Sequence, residues 1–223
     1  MADRFVYSPP GEPLDVLHHD AQILVVNKPA GLLSVPGKGA HLSDCLLTRV
    51  QRAFPDALLV HRLDLDTSGV MIFALTRHAQ RHLGLQFEKR QTRKIYVARV
   101  WGRLEPAEGE VDLPLAVDWP NRPRQKVDHE RGRPAHTAWK VLRHEETEDG
   151  SPVTRVRLMP TTGRSHQLRV HMKVLGHPIL GDPLYAGEAA RAAADRLQLH
   201  AESLRIRHPD GGRGVTFRAP VPF

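Results

Sequence analysis

Strand-like segments outnumber helical segments in this chain, and the two kinds do not alternate in a regular order. Apolar or alternating runs typical of strands occupy residues 22–31, 70–76, 94–102, 136–146, 153–160 and 199–206. Apolar residues at helical spacing occupy residues 43–54, 78–90, 165–176 and 187–196. A regular strand–helix–strand order would predict a parallel sheet covered by helices on both faces. The observed order instead predicts an α+β fold, in which helices and loops flank a mixed, largely antiparallel central sheet.

The chain has no internal repeat and no linker between separate cores, so we expect one domain over residues 1–223. Residues 1–20 are rich in proline and are expected to form an irregular N-terminal arm. The beginning of the chain lacks the basic and apolar regions of a signal peptide. No apolar run approaches the roughly 20 residues that span a bilayer. The composition, 40% hydrophobic and 26% charged residues, predicts a soluble globular protein.

The net charge of the chain indicates which class of molecule it binds. The net charge is +7, mostly from arginine, which favours a polyanionic partner such as nucleic acid. Aromatic residues make up only 5% of the chain, fewer than expected of a single-strand binder that stacks each base. The single cysteine, Cys45, excludes an internal disulfide and fits a reducing cytosol. It lies in an apolar periodic stretch, so we interpret it as a small core residue.

A polar connection between two apolar segments holds the first group of candidate functional residues. It reads HRLDLDTSG over residues 61–69 and places charged side chains at the edge of a strand. Asp64 lies between Leu63 and Leu65, which suggests a carboxylate in partly apolar surroundings. Residues 66–69 are interpreted as a turn in which Asp66 or Ser68 caps the backbone.

A second group lies in TTGRSHQLRVH, residues 161–171, where a turn leads into a helix. So many polar side chains suit phosphate and base recognition better than a core. Arg169 lies near the border of the buried stripe, and a buried arginine needs an anion, which an aspartate across a cleft would supply. His166 and His171 are five residues apart, off the spacing of two zinc ligands on a helix, so no metal site is predicted.

The connection at 61–69 resembles the pattern HRLDxxTSG of the RNA pseudouridine synthases typified by ribosomal large subunit pseudouridine synthase A. Further segments match in order: NKPAGLLSVPG (27–37), KIYVARVWG (94–102), DWPNRPRQKV (118–127), TGRSHQLRVHM (162–172), GHPILGD (176–182) and LHAESL (199–204). The resemblance therefore covers nearly the whole chain. It is closest to the short members of the family, which lack an added N-terminal RNA-binding domain of the S4 type. It implies one pseudouridine synthase catalytic domain and a reaction without cofactor or metal.

The resemblance also implies roles for individual residues. Asp64 aligns with the catalytic aspartate, Tyr96 with the tyrosine that stacks against the target base, and Arg169 with the arginine that pairs with the catalytic aspartate. Arg62 aligns with an arginine expected to insert where the flipped base leaves its stack. The remaining predicted RNA contacts are His61, Arg124, Lys126, Arg164, His166 and Gln167. Asp64 would act as a nucleophile at C1′ or as a base at C2′ of the uridine, and the sequence leaves both mechanisms open.

The expected substrates follow from the resemblance as well. It implies dual action on uridines in a hairpin of 23S rRNA and in the tRNA anticodon stem-loop, in a bacterial cytoplasm and by a monomer. One small domain serves both RNAs only if it reads a shared loop shape. A non-catalytic RNA-binding protein or chaperone is the first alternative, because the basic charge fits it equally well. The second is a hydrolase, either a nuclease or an N-glycosylase.

Overall fold

A mixed sheet of ten strands organises the part of the chain that the computed structural model describes, residues 6–223. The strands are β1 Asp15–His19, β2 Ile23–Lys28, β3 Leu58–Leu59, β4 Ser68–Ala74, β5 Arg93–Trp101, β6 Glu108–Asp112, β7 Leu115–Val117, β8 Gln125–Val127, β9 His136–Glu146, β10 Pro152–Pro160, β11 Leu199–Arg207 and β12 Gly214–Arg218. The helices are α1 Leu46–Ala53, α2 Arg77–Glu88, α3 Gln167–Val174 and α4 Glu188–Ala192, with 3₁₀ turns at Ala40–Leu42 and Trp119–Asn121.

The large sheet follows the order β1–β2–β4–β11–β5–β10–β9–β6, with β3 beside β4 and β12 beside β11. Its neighbouring strands run antiparallel except β4 and β11, which pair in parallel. β7 and β8 form a separate antiparallel pair. The predicted α+β fold with a mixed, largely antiparallel sheet is therefore confirmed.

The centre of the sheet is covered on both faces. All seven residues of β4 are buried, as expected of an interior strand packed on two sides. Leu46 of α1 packs in a cluster with Met71, while Leu83 of α2 packs in another cluster with Ile72. Successive side chains of a strand point to opposite faces, so these two helices lie on opposite sides of β4. No helix among residues 6–223 is long and apolar enough to cross a bilayer.

Gly69 permits the parallel pairing at the start of β4. Its φ of 114° lies in the region that favours glycine, and a Cβ there would lie 2.3 Å from the backbone oxygen of Ala201. Ala201 on β11 is paired on one side with Gly69 and on the other with Tyr96 of β5. The close approach thus brings the connection before β4 near to Tyr96.

Some local predictions were wrong. The irregular arm was predicted to extend to residue 20, but residues 15–19 form β1, which pairs with β2; residues 1–5 lie outside the described part. The start of α1 is capped by Cys45, whose sulfur accepts from the Thr48 N–H at 3.5 Å, so α1 begins later than the predicted segment 43–54. Cys45 is also fully buried, as predicted. Edge strands such as β1 and β12 are not predicted from the local sequence pattern, because their pairing partners supply much of their stability.

Candidate active site

The three residues predicted to be catalytic line one small cavity of about 140 Å³. Asp64 comes from the connection before β4, Tyr96 from β5 and Arg169 from α3. The cavity is smaller than the pockets of about 300 to 1,000 Å³ that hold drug-sized ligands, so its size suits a single small ring. The fold therefore brings together side chains that are far apart in the sequence.

The carboxylate of Asp64 has no hydrogen bond or ion pair with another side chain of residues 6–223; only its backbone oxygen accepts, from the Thr67 N–H at 3.3 Å. The Asp64 side chain is half-buried, and its neighbour Leu63 is only 7% exposed. The partly apolar surroundings predicted from the sequence are therefore present. A carboxylate held in such a cavity without an internal partner is free to act on a bound molecule.

Tyr96 forms an apolar wall of the cavity. It packs against two of the hydrophobic clusters of the core, which fix its ring. Burial raises the pKa of the Tyr96 hydroxyl, and the negative charge of Asp64 raises it further. The hydroxyl therefore stays protonated, and the ring presents a neutral surface close to the carboxylate.

Arg169 does not have the partner predicted for it. Its guanidinium makes a bidentate pair with Asp182, with Nε to Oδ2 at 2.8 Å and Nη2 to Oδ1 at 2.6 Å. The two side chains are 3% and 0% exposed. Burial lowers the pKa of Arg169, but the hydrogen bonds and charge of Asp182 outweigh this effect and the pKa is raised; the charge of Asp64 acts in the same direction. The buried arginine thus neutralises Asp182. It makes no hydrogen bond with Asp64 and interacts with that carboxylate only electrostatically.

Two side chains that the sequence prediction missed hold the backbone on either side of Asp64. Lys28, fully buried at the end of β2, donates to the carbonyl of Leu65 at 2.9 Å and to two further carbonyls. The Ser34 hydroxyl donates to the Leu63 carbonyl at 2.6 Å and accepts from the Leu63 N–H at 3.1 Å. Burial lowers the pKa of Lys28 to about 7, although the negative charges of Asp66 and Asp64 raise it. A lysine that ends an apolar strand is the sequence signal that could have identified it.

Predicted RNA contacts at the mouth of the cavity are accessible. Arg62 is exposed and lines the catalytic cavity and three cavities next to it. Arg164 lines three of these four and donates to the carbonyl of Pro134 at 3.1 Å. Lys94, which the sequence prediction missed, lines two of them; burial and then the charge of Arg90 lower its pKa to about 8. The rim is therefore cationic.

Gln167, His166 and His61 were predicted to contact RNA, and each has at least one polar side-chain atom bonded to the protein itself. The Gln167 amide oxygen accepts from Thr162 Oγ1 at 2.7 Å and the Arg164 N–H at 3.0 Å, while its nitrogen donates to the His136 carbonyl at 2.9 Å and to Thr137 Oγ1 at 3.0 Å. Gln167 is 4% exposed. Its side chain joins the turn before α3 to β9 and also lines the catalytic cavity, so its role as an RNA contact stays a prediction.

Each of the two histidines makes a hydrogen bond to the protein through one ring nitrogen. His166 precedes α3 in the left-handed region, with φ of 54°, and its Nδ1 bonds to the Tyr185 hydroxyl at 2.7 Å. His61 Nε2 accepts from the Ile72 N–H at 3.1 Å, and its ring stacks on Phe87. Burial lowers the pKa of His61 to about 3, so the ring is neutral. His61 is therefore a structural residue of the connection before β4.

The segment from β7 to β8 contributes one of its two predicted residues, Lys126, and one that was not predicted, Arg122. Lys126 is exposed and lines a cavity of about 590 Å³ together with Arg62 and Arg164. Arg124 is exposed but lines none of the cavities described here. Arg122, not selected from the sequence, lines a cavity of about 430 Å³ that includes Asp64. Side-chain orientation along this irregular segment has no simple period. The sequence therefore did not show that Arg122 lines a cavity and Arg124 does not.

Two residues that follow Asp64, Asp66 and Ser68, line a different cavity. Asp66 and Ser68 line the largest of the described cavities, about 840 Å³, which Asp64 does not line. Ser68 begins β4 and its hydroxyl bonds to His200 Nδ1 at 2.8 Å and Arg196 Nη2 at 2.5 Å, so its predicted role as a turn cap is wrong. Burial raises the pKa of Asp66. The two carboxylates of the connection therefore line different cavities, and the larger cavity lacks Tyr96 and Arg169.

Comparison of the sequence with known proteins identifies a family and relatives of this chain. A family model described as RNA pseudouridylate synthase matches residues 22–173. A dual-specificity RNA pseudouridine synthase RluA of Escherichia coli O6:H1 is 58% identical over 218 residues, covering 97% of this chain and 98% of that protein. The protein of the same name from Yersinia pestis is 55% identical, covering 93% of this chain and 99% of that protein.

Solved structures agree with this similarity. Human RNA pseudouridylate synthase domain containing 1 matches with a TM-score of 0.77 at 30% identity, over 100% of this chain and 87% of that chain. Human RNA pseudouridylate synthase domain containing 4 matches with a TM-score of 0.73 at 25% identity, over 93% of this chain and 88% of that chain. The similarity thus covers both the core sheet and the segments that form the cavity.

Proposed function

Because the chain belongs to the RNA pseudouridylate synthase family, we propose that Asp64 is the carboxylate that carries out its reaction. The chain is an RNA pseudouridine synthase, an isomerase, as its resemblance to that family predicted. The observation that supports the role of Asp64 is its carboxylate, which has no side-chain partner among the described residues and lines one cavity with Tyr96 and Arg169.

The reaction needs one group that acts at the sugar. The N1–C1′ bond of the uridine breaks, the uracil turns, a C5–C1′ bond forms, and the proton of C5 leaves as N1 gains one. Asp64 would attack C1′ or remove a proton at C2′, and either role needs an ionised, correctly placed carboxylate. Lys28 and Ser34 hold the backbone on either side of this carboxylate, and the buried Arg169 lines the same cavity.

The target base must leave its helical stack, which costs a few kcal/mol. In our proposal Tyr96 holds the uracil by its face inside the cavity, since its ring is fixed by the core. Arg62, exposed at the mouth, would take the place that the base leaves and offset part of that cost. Lys126 and Arg164 would contact the RNA backbone beside it, because both line a cavity shared with Arg62.

We further propose that the enzyme acts on both a hairpin of 23S rRNA and the anticodon stem-loop of tRNA, as a monomer in the cytoplasm. The curated relatives are named dual-specificity RNA pseudouridine synthases. The small cavity and its cationic rim support this proposal, because they suit one splayed base in a loop and not the edges of an intact helix.

Tritium release from RNA labelled at C5 of uracil tests the proposal, with an rRNA hairpin and an anticodon stem-loop as substrates. We expect the wild type to release label from both RNAs without cutting the chain or freeing uracil. Asp64→Asn keeps the shape but loses the charge, and we expect its turnover to fall below roughly a thousandth of wild type. Its affinity for the RNA should persist.

Asp66→Asn is the matched control, because Asp66 lies two residues away but faces the larger cavity. Because Asp66 does not line the cavity that holds Asp64, Tyr96 and Arg169, we expect this variant to retain turnover. Substantial turnover by Asp64→Asn, or equal loss in both variants, would contradict the role of Asp64. Release from one RNA alone would contradict dual specificity but not the catalytic assignment.

A further inference from the structure

An exposed tryptophan lies on the loop between β7 and β8, where the catalytic assignment gives it no role. Trp119 is 67% exposed, whereas Trp139 is 4% exposed. The guanidinium of Arg122 covers the Trp119 ring, with Cζ at 3.3 Å from the ring centroid. A large aromatic surface left in water is unfavourable, and an exposed indole beside cations can stack with a base. With one face covered by Arg122, the remaining surface is available to a ligand.

Hydrogen bonds within the loop hold Trp119 in place. The Asp118 N–H donates to the Arg124 carbonyl at 2.9 Å, and the Asn121 N–H donates to the Asp118 carbonyl at 3.0 Å. The Asn121 side-chain nitrogen also donates to Asp118 Oδ2 at 2.9 Å. The loop is therefore folded around Trp119 before any ligand arrives, which lowers the entropy lost on binding.

One hydroxyl group connects this loop to the catalytic helix. The Tyr185 hydroxyl accepts from the backbone N–H of Gln125 at 2.7 Å and bonds to His166 Nδ1 at 2.7 Å. The Tyr185 ring also lies beside Arg169, with Cζ at 5.1 Å from the centroid. The position of Trp119 relative to the catalytic cavity is thus fixed through Tyr185.

The surroundings of Trp119 indicate a polyanionic ligand. Trp119 lines the cavity of about 590 Å³ whose other lining residues include Arg62, Lys126, Arg131 and Arg133, against one carboxylate, Asp128. Its partner Arg122 lines the neighbouring cavity with Asp64. An aromatic ring among cations is the arrangement that binds a nucleobase and its adjoining phosphates.

We propose that Trp119, backed by Arg122, is a stacking platform for an unpaired base of the RNA loop, separate from the uridine held at Asp64. This inference rests on the proposed function, since it needs the RNA loop to lie over the mouth at Arg62. It assigns a second base-binding position on the protein, which would select loops that carry an unpaired base at the matching distance from the target uridine.

Trp119→Ala and Trp119→Phe test the platform, with Leu142→Ala as the control for loss of an exposed apolar side chain elsewhere, on β9. We expect Trp119→Ala to weaken binding of an anticodon stem-loop roughly 5- to 150-fold, the worth of one stacked base. Phenylalanine should restore most of the affinity. The slope of affinity against salt should stay unchanged, because stacking neutralises no phosphate.

A stem-loop carrying 2-aminopurine in turn at each unpaired position identifies the base, since its fluorescence is quenched on an indole. We expect quenching at one position in the wild type, none in Trp119→Ala, and no difference between the two proteins when that position is abasic. Equal affinity of Trp119→Ala and wild type, or a reduced salt slope in Trp119→Ala, would overturn the platform. These binding measurements need no turnover, so they separate failure of the platform from failure of Asp64 as the catalytic group.

Discussion

Replacing Asp182 by asparagine tests whether the buried pair with Arg169 holds α3 against the segment before α4. Asp182 is 0% exposed and accepts two hydrogen bonds from Arg169 and two from the backbone N–H groups of Leu184 and Tyr185. Asparagine keeps one acceptor but turns an N–H₂ group towards the guanidinium, which leaves a buried cation without its counter-charge. Breaking such a pair costs about 3 to 5 kcal/mol.

Equilibrium unfolding in urea, followed by tryptophan fluorescence, measures this loss. The expected change corresponds to a fall in Tm of roughly 6 to 20 °C for a domain of this size. Glu105→Gln is the control, because its pair with Arg103 is 60–68% exposed and should contribute little. An Asp182→Asn protein that unfolds at the midpoint of the wild type would refute the reasoning.

A double variant separates the pair from its surroundings. Arg169→Met combined with Asp182→Leu removes both charges, so it should be less destabilised than the sum of the two single variants. The difference between the double variant and that sum is the coupling energy of the pair. Additive losses would mean that the two side chains stabilise the fold independently and not as an ion pair.

Three further changes follow from the contacts of single residues. Gly69→Ala would place a Cβ 2.3 Å from the Ala201 oxygen at a φ of 114°, so we expect no soluble folded protein by far-UV circular dichroism; a melt like that of wild type would contradict the close approach. Gln167→Leu keeps the volume but leaves four hydrogen-bond partners unmatched, so we expect the free energy of unfolding to fall by about 2 to 4 kcal/mol. A variant that lost RNA affinity at unchanged stability would instead support the prediction that Gln167 contacts RNA. The pKa of His61 is lowered to about 3, so its contribution to stability is complete above about 6.5 and is lost as the pH falls towards 3, by at most about 1.4 kcal/mol per pH unit. His61→Gln, which can still accept from the Ile72 N–H, should flatten that acid limb of the stability curve, and an unchanged limb would assign the acid sensitivity to other groups.

The parts of the site that sequence predicted are those whose constraints are local. The segment before β4 places Asp64 between Leu63 and Leu65, and the buried Leu63 gives the carboxylate the partly apolar surroundings that the sequence predicted. The alternation in β5 directs Tyr96 to one face of the sheet whatever the strand pairs with. The periods of two and 3.6 residues likewise predicted six of the twelve described strands and all four described α-helices, though helix ends moved by one to several residues.

Long-range pairing was decided only by the tertiary structure. The sequence shows that a buried Arg169 needs an anion, but several aspartates qualify, and only the folded chain places Asp182 and not Asp64 within hydrogen-bond distance. The engagement of Gln167 by β9 and the tie of the Trp119 loop to α3 through Tyr185 depend in the same way on segments that meet only after folding. Local pattern fixes which way a side chain points relative to its own backbone. The choice among competing polar partners depends on distances of a few tenths of an ångström across the core, and these distances exist only once the whole sheet has packed.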